Sequence, residues 1–381
     1  MNPHARAIVF GFLISTAALA AIAGRVLADD DGEFNEPGNY LIADQFNNRV
    51  IEVGRSGNIV WQFGGGPTDF SPASIIGTND AQRVGELTLM AGTGTPGGQP
   101  EAPNCTNPTG CPDNRVLLVN RAGHIVWQYG QFGVAGAGPD QLNTPVQNTW
   151  LPRGGDRDTD EEHFAEGEDT RIPRGHVLIT DQGNGRIIEV RVSDKRIVWE
   201  YDGLNNPNCA ELLENGHILI CDENNNQALE VTHTTPSTIV HTYTMAGGML
   251  FSGVAFASRL PNGHTLITDS NNNRIVETDE AGDAFFQYFT NTDPNSTQRN
   301  TGPLPTRALR LRNGNTLISD QYNHRVIEVS PDFQIVRTFG KINLLGYDAG
   351  NVADGGLNSP YDAKRIGDYT GITAPFGHDR E

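Results

Sequence analysis

Tyr40-Leu-Ile-Ala-Asp44-Gln-Phe-Asn-Asn-Arg49-Val-Ile-Glu-Val53 returns later as Val177-Leu-Ile-Thr-Asp181-Gln-Gly-Asn-Gly-Arg186-Ile-Ile-Glu-Val190. Residues 218–231, 265–278 and 316–329 are three further copies. In each, an apolar run ends on Asp, polar turn residues follow, and a second apolar run opens, usually on Arg. The pattern describes two strands joined by a tight turn, repeated along the chain. Most copies continue into a third strand, such as Ile59-Val-Trp-Gln-Phe63 or Ile335-Val-Arg-Thr-Phe339. A sixth copy is interrupted. Leu87-Thr-Leu-Met90 matches the first strand, and Asn114-Arg115-Val-Leu-Leu-Val119 and Ile125-Val-Trp-Gln-Tyr129 match the next two, with residues 93–113 inserted between.

Each copy but the first is preceded by a short strand and a turn, as in Ala257-Ser-Arg259-Leu-Pro-Asn-Gly263. Asn-Gly is a strong hairpin signal, so the full unit is four antiparallel strands, a to d from the inside outwards. The first copy lacks strand a. The last is followed by Pro360-Tyr-Asp362-Ala363-Lys-Arg365-Ile, which matches it. A ring closed by a C-terminal strand inserted into the first blade explains both facts and leaves no open sheet edge between first and last blades. The expected fold is therefore all-β, a six-bladed β-propeller of four-stranded antiparallel blades.

Asn47-Asn48-Arg49-Val and Asn323-His324-Arg325-Val resemble the Asn-x-Arg-Ile/Val signature of the NHL-repeat propellers. Gly136-Ala-Gly-Pro-Asp-Gln-Leu-Asn-Thr-Pro145 and Gly355-Gly-Leu-Asn-Ser-Pro360 resemble the glycine-rich lead into that family's strand a. The resemblance runs from about residue 33 to 370 and implies a fold. It implies no single function, because such propellers host unrelated roles.

The first 28 residues read as an export signal. Arg6 precedes an apolar run from Ala7 to Ala23, and Val26-Leu27-Ala28 suits cleavage before Asp29. The expected organisation is a signal over 1–28, the propeller over 29–370, a C-terminal tail over 371–381, and no membrane span in the mature chain. The destination is secreted or periplasmic. A net charge of −19 repels phosphate backbones and argues against nucleic acid as a partner. Four cysteines in an oxidising compartment predict two disulfides, with Cys105 near Cys111 in one loop and Cys209 facing Cys221 across a hairpin.

The Asp and Arg that flank the b–c turn recur around the ring, so they read as architecture: a salt-bridged turn that pins register. Strand a lines the channel. Its recurrent small position is Ala81, Ala210, Ala257, Ala308 and Ala363, with Asn148 the exception. Two residues on, Arg83, Arg259, Arg310 and Arg365 recur, while Trp150 and Leu212 break the series. One residue before the Ala, identities diverge and include Asp80, Arg307 and Asp362. The channel-lining candidates are thus Asp80, Arg83, Asn148, Trp150, Arg259, Arg307, Arg310, Asp362 and Arg365. The favoured role for the arginines is to bridge adjacent blades and pair with carboxylates there; an anion-attracting or metal-binding channel mouth, built from them with Asp80 and Asp362, is the alternative.

Secreted propellers of this build that are enzymes rely on channel histidines, or on channel carboxylates and Asn around a divalent metal. No strand a carries a histidine here. His176, His217 and His264 follow the a–b turn and read as turn structure. Asp80, Asn148 and Asp362 are the candidate oxygen ligands for Ca²⁺ or a similar cation. The acidic stretch 156–169 is a second place for Ca²⁺, without the ordered spacing of a calcium loop. The b–c and d–a loops share one face, and several are long, with Phe70, Ile75, Ile76, Leu344, Leu345 and Tyr347 expected to be exposed. The leading expectation is a non-catalytic module that binds a protein or small-molecule ligand on this face. A metal-dependent hydrolase or lyase with a channel cation is the alternative.

Overall fold

The computed structural model describes residues 32–152, 172, 174–293 and 302–373. Twenty-four strands form six four-stranded antiparallel sheets, and a two-stranded ribbon lies outside them. The sheets are the blades of a six-bladed propeller. Blade 1 has the order Pro360–Arg365, Tyr40–Asp44, Arg49–Val53, Ile59–Phe63, so its inner strand is the C-terminal one. Ala363 pairs with Ile42 and Arg365 with Tyr40, the displaced strand expected from the repeat.

Period-two alternation puts each strand's apolar residues on blade faces that stack around the ring. Six buried clusters result, one at each blade interface among the described residues. Tryptophans on strand d clasp successive blades. Trp61 Nε1 donates to Arg121 O at 2.9 Å, Trp127 Nε1 to Val192 O at 3.0 Å and Trp199 Nε1 to Thr234 O at 3.2 Å. The a–b turns close at Gly216, Gly263 and Gly314, all near φ +80 to +90°, where glycine carries no steric penalty.

The b–c turn is a single 3₁₀ turn ending on a left-handed residue: Asn48, Gly185, Asn226, Asn273 or His324. The Arg that follows reaches back to the Asp that precedes, with Nε to Oδ2 at 2.8 Å in Arg49–Asp44, Arg186–Asp181 and Arg325–Asp320. Blade 2 has Gly92 where the Asp should stand. A Cβ there would lie 2.4 Å from Asp113 Oδ2, because Asp113 of the insertion fills the missing side chain's place and pairs with Arg115. The buried pair is thus kept by a residue from another position.

The same turns hold the incoming chain of each blade. The turn carboxylate accepts a backbone N–H from the residue leading into its own strand a. Asn358 reaches Asp44 at 2.7 Å, Ile76 Asp113 at 2.8 Å, Asn143 Asp181 at 2.8 Å, Asn205 Asp222 at 2.7 Å and Ser252 Asp269 at 2.8 Å. The next N–H goes to the left-handed residue of the preceding blade. Gly77 reaches Asn48 at 2.9 Å, Thr144 Asn114 at 2.8 Å, Gly253 Asn226 at 2.8 Å, Leu304 Asn273 at 3.2 Å and Ser359 His324 Nδ1 at 3.2 Å. Buried and half-buried amides that no sheet ladder could serve are thereby satisfied, and five of the six blades are latched to the next; blade 3 has Gly185 at this place and no side chain to accept the amide.

Both disulfides are present, Cys105–Cys111 and Cys209–Cys221, and no cysteine is free. The ribbon of Met245–Ala246 and Met249–Leu250, turned by Gly247-Gly248, was not expected; strands this short leave no periodicity to read. No helix among the described residues is long and apolar enough to cross a membrane. The expected signal segment and the acidic stretch 156–169 lie outside the described residues.

Candidate functional site

Strand a presents two rows of side chains. The row of Ala81 and Arg83 packs between blades. Arg83 pairs with Glu52 of blade 1, Arg259 with Glu230 of blade 4 at 2.7 Å and Arg310 with Glu277 of blade 5 at 3.0 Å. Arg365 stands over the Tyr40 ring and favours the charge of Glu328 in blade 6. These four arginines span blade interfaces away from the channel's centre, and Arg259 and Arg310 also wall a basin of about 1190 Å³ on the a–b turn face. Trp150 is fully buried in the core between blades 2 and 3, beside Leu118, the residue that replaces the Glu of strand c. An apolar pair has thus replaced an ion pair. Where Leu212 breaks the series, Glu189 is served instead by His233 at 2.6 Å and by His176. His217 and His264 likewise bind Glu230 and Glu277 at 2.7 and 2.9 Å.

The other row fills the axis. Asp80 Oδ1 receives Lys364 Nζ at 2.7 Å and Arg307 Nη2 at 2.8 Å, while Asn148 binds its second oxygen. Asp362 pairs with Lys364 and with Arg307 Nε at 2.6 Å. Arg307 also stacks on Phe256, 4.1 Å from the ring centroid. So Asp80, Asn148 and Asp362 do converge, and what they hold is the protein's own two cations. Their remaining contacts run to backbone: Asp362 accepts Ala81 N–H, and Asp80 accepts Asn148 N–H, each at 3.2 Å. Burial raises the Asp80 carboxyl, but Lys364 and Arg307 more than offset it and hold it low.

Three members of this cluster were missed as site residues: Lys364, Glu211 and Gln82. Gln147 Nε2 donates to Glu211 Oε1 at 2.6 Å, and Thr373 N–H donates to its other oxygen at 3.3 Å. Gln82 Nε2 donates to Thr373 O at 3.2 Å. The chain beyond the closing strand therefore stops the channel on the a–b turn face. Glu211 lies two residues after Cys209 and Lys364 two after Asp362, on the same strand face, and that spacing was the available signal.

On the opposite, long-loop face the channel opens as a funnel of about 490 Å³. Gln45, Asn79, Gln182, Asn208, Ser270 and Gln321 bring one wall residue from each blade. The inserted loop of blade 2 overhangs it through Pro96, Gln99, Thr109 and Gly110. Part of the wall is a relay of amides, with Gln321 donating to Gln45 at 2.8 Å and Gln45 to Asn79 at 2.9 Å. Aromatic surface comes from Phe46, Tyr322 and Tyr361. Glu223 is the one acidic or basic side chain in this lining. Outside the funnel, Leu344, Leu345 and Tyr347 are exposed as expected. Ile75 and Ile76 are not: both are fully buried, since the Asp113 carboxylate draws the Ile76 amide inward.

No protein-family model matches the chain, and no curated protein is similar to it. Solved structures do align with it. One is a protein of unknown function from Bacteroides caccae, 12% identical over 81% of this chain and 97% of that chain, with a TM-score of 0.49. Another is selenomethionine-substituted virginiamycin B lyase from Staphylococcus aureus, 13% identical over 81% and 85%, with a TM-score of 0.45. A third is the WD40 β-propeller domain of Doa1, 12% identical over 81% and 88%, with a TM-score of 0.44.

Proposed function

We propose that this propeller is an exported, NHL-type binding module that takes a small polar ligand in the funnel on its long-loop face. In this reading residues 1–28 direct export and are removed, and the two disulfides suit the oxidising destination. One observation carries the reading: all six blades contribute a polar side chain to a single 490 Å³ cavity that an inserted loop overhangs. A cavity of that size with convergent hydrogen-bonding groups is the usual form of a small-molecule site. Deeper in the channel, Asp80 and Asp362 are already paired with Lys364 and Arg307.

The test uses thermal shift and saturation-transfer NMR with a panel of monosaccharides, disaccharides and tripeptides. Hits are then measured on a variant in which residues 97–109 are replaced by a short Gly-Ser linker and Cys111 by Ser. Binding should weaken at least tenfold. Undiminished binding, or no hit in the panel, overturns the reading.

A further inference from the structure

Blade 4 departs from the repeat in a way that concentrates negative charge. The Arg that opens strand c elsewhere is Gln227 here, and it gives Asp222 a neutral partner at 2.9 Å. The residue after the strand-b Asp is Gln45, Gln182, Ser270 or Gln321 in other blades and Glu223 in this one. Glu223 therefore puts a carboxylate where the funnel's rim is otherwise amide and hydroxyl.

Its surroundings are half of a binding site. Asn206 Nδ2 and Asn208 Nδ2 both donate to Oε2 at 2.9 Å, and the Tyr361 hydroxyl donates to Asn208 Oδ1 at 3.0 Å. These neutral contacts hold Oε2, and the Glu223 side chain lines the cavity. No Lys, Arg or His pairs with Glu223 among the described residues. Other carboxylates in blade interfaces and turns are treated differently: Glu52 has Arg83, Glu230 has Arg259, Glu277 has Arg310 and Asp320 has Arg325. A buried carboxylate held only by amides is completed by a proton, as at Glu211, or by a cation, and Glu223 differs from Glu211 in lining an open cavity that a cation can enter. A lone carboxylate among amides is a poor set for Ca²⁺, which takes six to eight oxygens, often from several carboxylates. It suits an ammonium group, whose three N–H donors match Glu223 and its amide neighbours. A net charge of −19 steers such a ligand toward the protein.

We infer that the funnel recognises a primary ammonium group on a polar organic body, with Glu223 as its ion-pairing residue and the Gln, Asn and Thr wall binding the body. This rests on the funnel being the binding site. An amino sugar and a peptide N-terminus share the chemistry, and the experiment separates them. Calorimetry is run with D-glucosamine and with glycylglycinamide, each against its N-acetyl form, on the wild type, Glu223→Gln and Thr109→Trp. Thr109 is an exposed wall residue of the overhanging loop, so the indole fills the funnel without disturbing a blade.

At least one amine should bind tenfold or more tightly than its acetylated form. Glu223→Gln should level the two, and Thr109→Trp should abolish both. Should Glu223→Gln fail to fold, Glu223→Ser, the residue type of blade 5, replaces it. If the acetylated forms bind as well as the amines and Thr109→Trp abolishes both, the ammonium inference falls and the funnel reading stands. If Thr109→Trp changes nothing, or no probe binds, both fall.

Discussion

Pro303 stands where the other five blades send a backbone N–H to the turn carboxylate, and Asp320 Oδ1 is left without a partner among the described residues. Proline has no N–H to send. Burial then pushes the Asp320 carboxyl up to about 6 despite Arg325. A raised carboxyl pKa means the fold loses stability as pH climbs from about 4 to 6, and the penalty persists above that window. Pro303→Asn, the residue type at this position in blades 1, 3 and 4, restores the donor. A hydrogen bond to a charged group is worth about 1.5–3 kcal/mol, and losing proline's restriction of the unfolded chain costs about 0.4–1 kcal/mol. The variant should be roughly 1 kcal/mol more stable at pH 7 by urea unfolding. Carboxyl NMR titration should find Asp320 near the ordinary range; an unmoved pKa counts against this account.

His324 closes the ring by accepting the Ser359 amide with Nδ1, and burial drives its pKa down to about 4. A histidine held neutral in the fold costs nothing above its unfolded pKa near 6.5, and below it stability falls as pH drops toward 4. The slope is about 1.4 kcal/mol per pH unit. Blades 1, 2, 4 and 5 use Asn at this place, with the same left-handed backbone and the same latch. His324→Asn should keep the fold and flatten the loss between pH 6 and 4 in parallel urea titrations. An unchanged acid limb would show that the latch histidine does not set it.

Much of this was readable because a ring imposes one constraint six times. The b–c turn, the Asn-Gly hairpins and the displaced strand each leave a repeated trace, and Trp150, Leu118 and Leu212 stand out against it. Repetition helped less on strand a. The row of Ala81 and Arg83 repeats because most interfaces use it, whereas Asp80, Arg307 and Asp362 of the row that fills the axis stood out only by diverging. Lys364, Glu211 and Gln82 do not repeat, since six strands converging on one axis need six different side chains. Glu223 was hidden inside a polar turn, Asp222-Glu-Asn-Asn-Asn226, and becomes visible only beside Gln45, Gln182, Ser270 and Gln321. Asp113 could not be foreseen, because it supplies a turn carboxylate from outside the repeat's spacing.

Glu211 is expected to contribute to the alkaline limb. It is fully buried, its nearest cations act from a distance, and burial pushes its carboxyl up to about 7. Folding therefore favours its proton, and stability falls as pH rises from about 4.5 to 7. Glu211→Gln removes that titration. Its pH 5.5 and pH 8 urea midpoints should differ less than those of the wild type, with Asp320 leaving a residual slope below pH 6. The amide also presents an N–H where Gln147 and Thr373 both donate, so a constant cost at pH 5.5 is expected. Equal slopes in variant and wild type would place the titration elsewhere.

Lys364 decides between a sealed channel and a metal site. Its ammonium spends all three donors, on Asp80, Asp362 and Ala81 O. Asp80 and Asp362 share Lys364 and Arg307, so the expectation is that these two cations occupy the place a divalent ion would need at Asp80, Asn148 and Asp362. Adding Ca²⁺ or EDTA should leave its melting temperature unchanged. Lys364→Ala leaves two buried carboxylates sharing Arg307, and breaking a buried pair in this way costs about 3–5 kcal/mol. The space vacated lies between oxygens of Asp80 and Asp362, so this variant should regain stability with Ca²⁺ where the wild type does not. A wild type destabilised by EDTA would instead mean that Lys364 yields its place to a metal, and the channel would return as the candidate site.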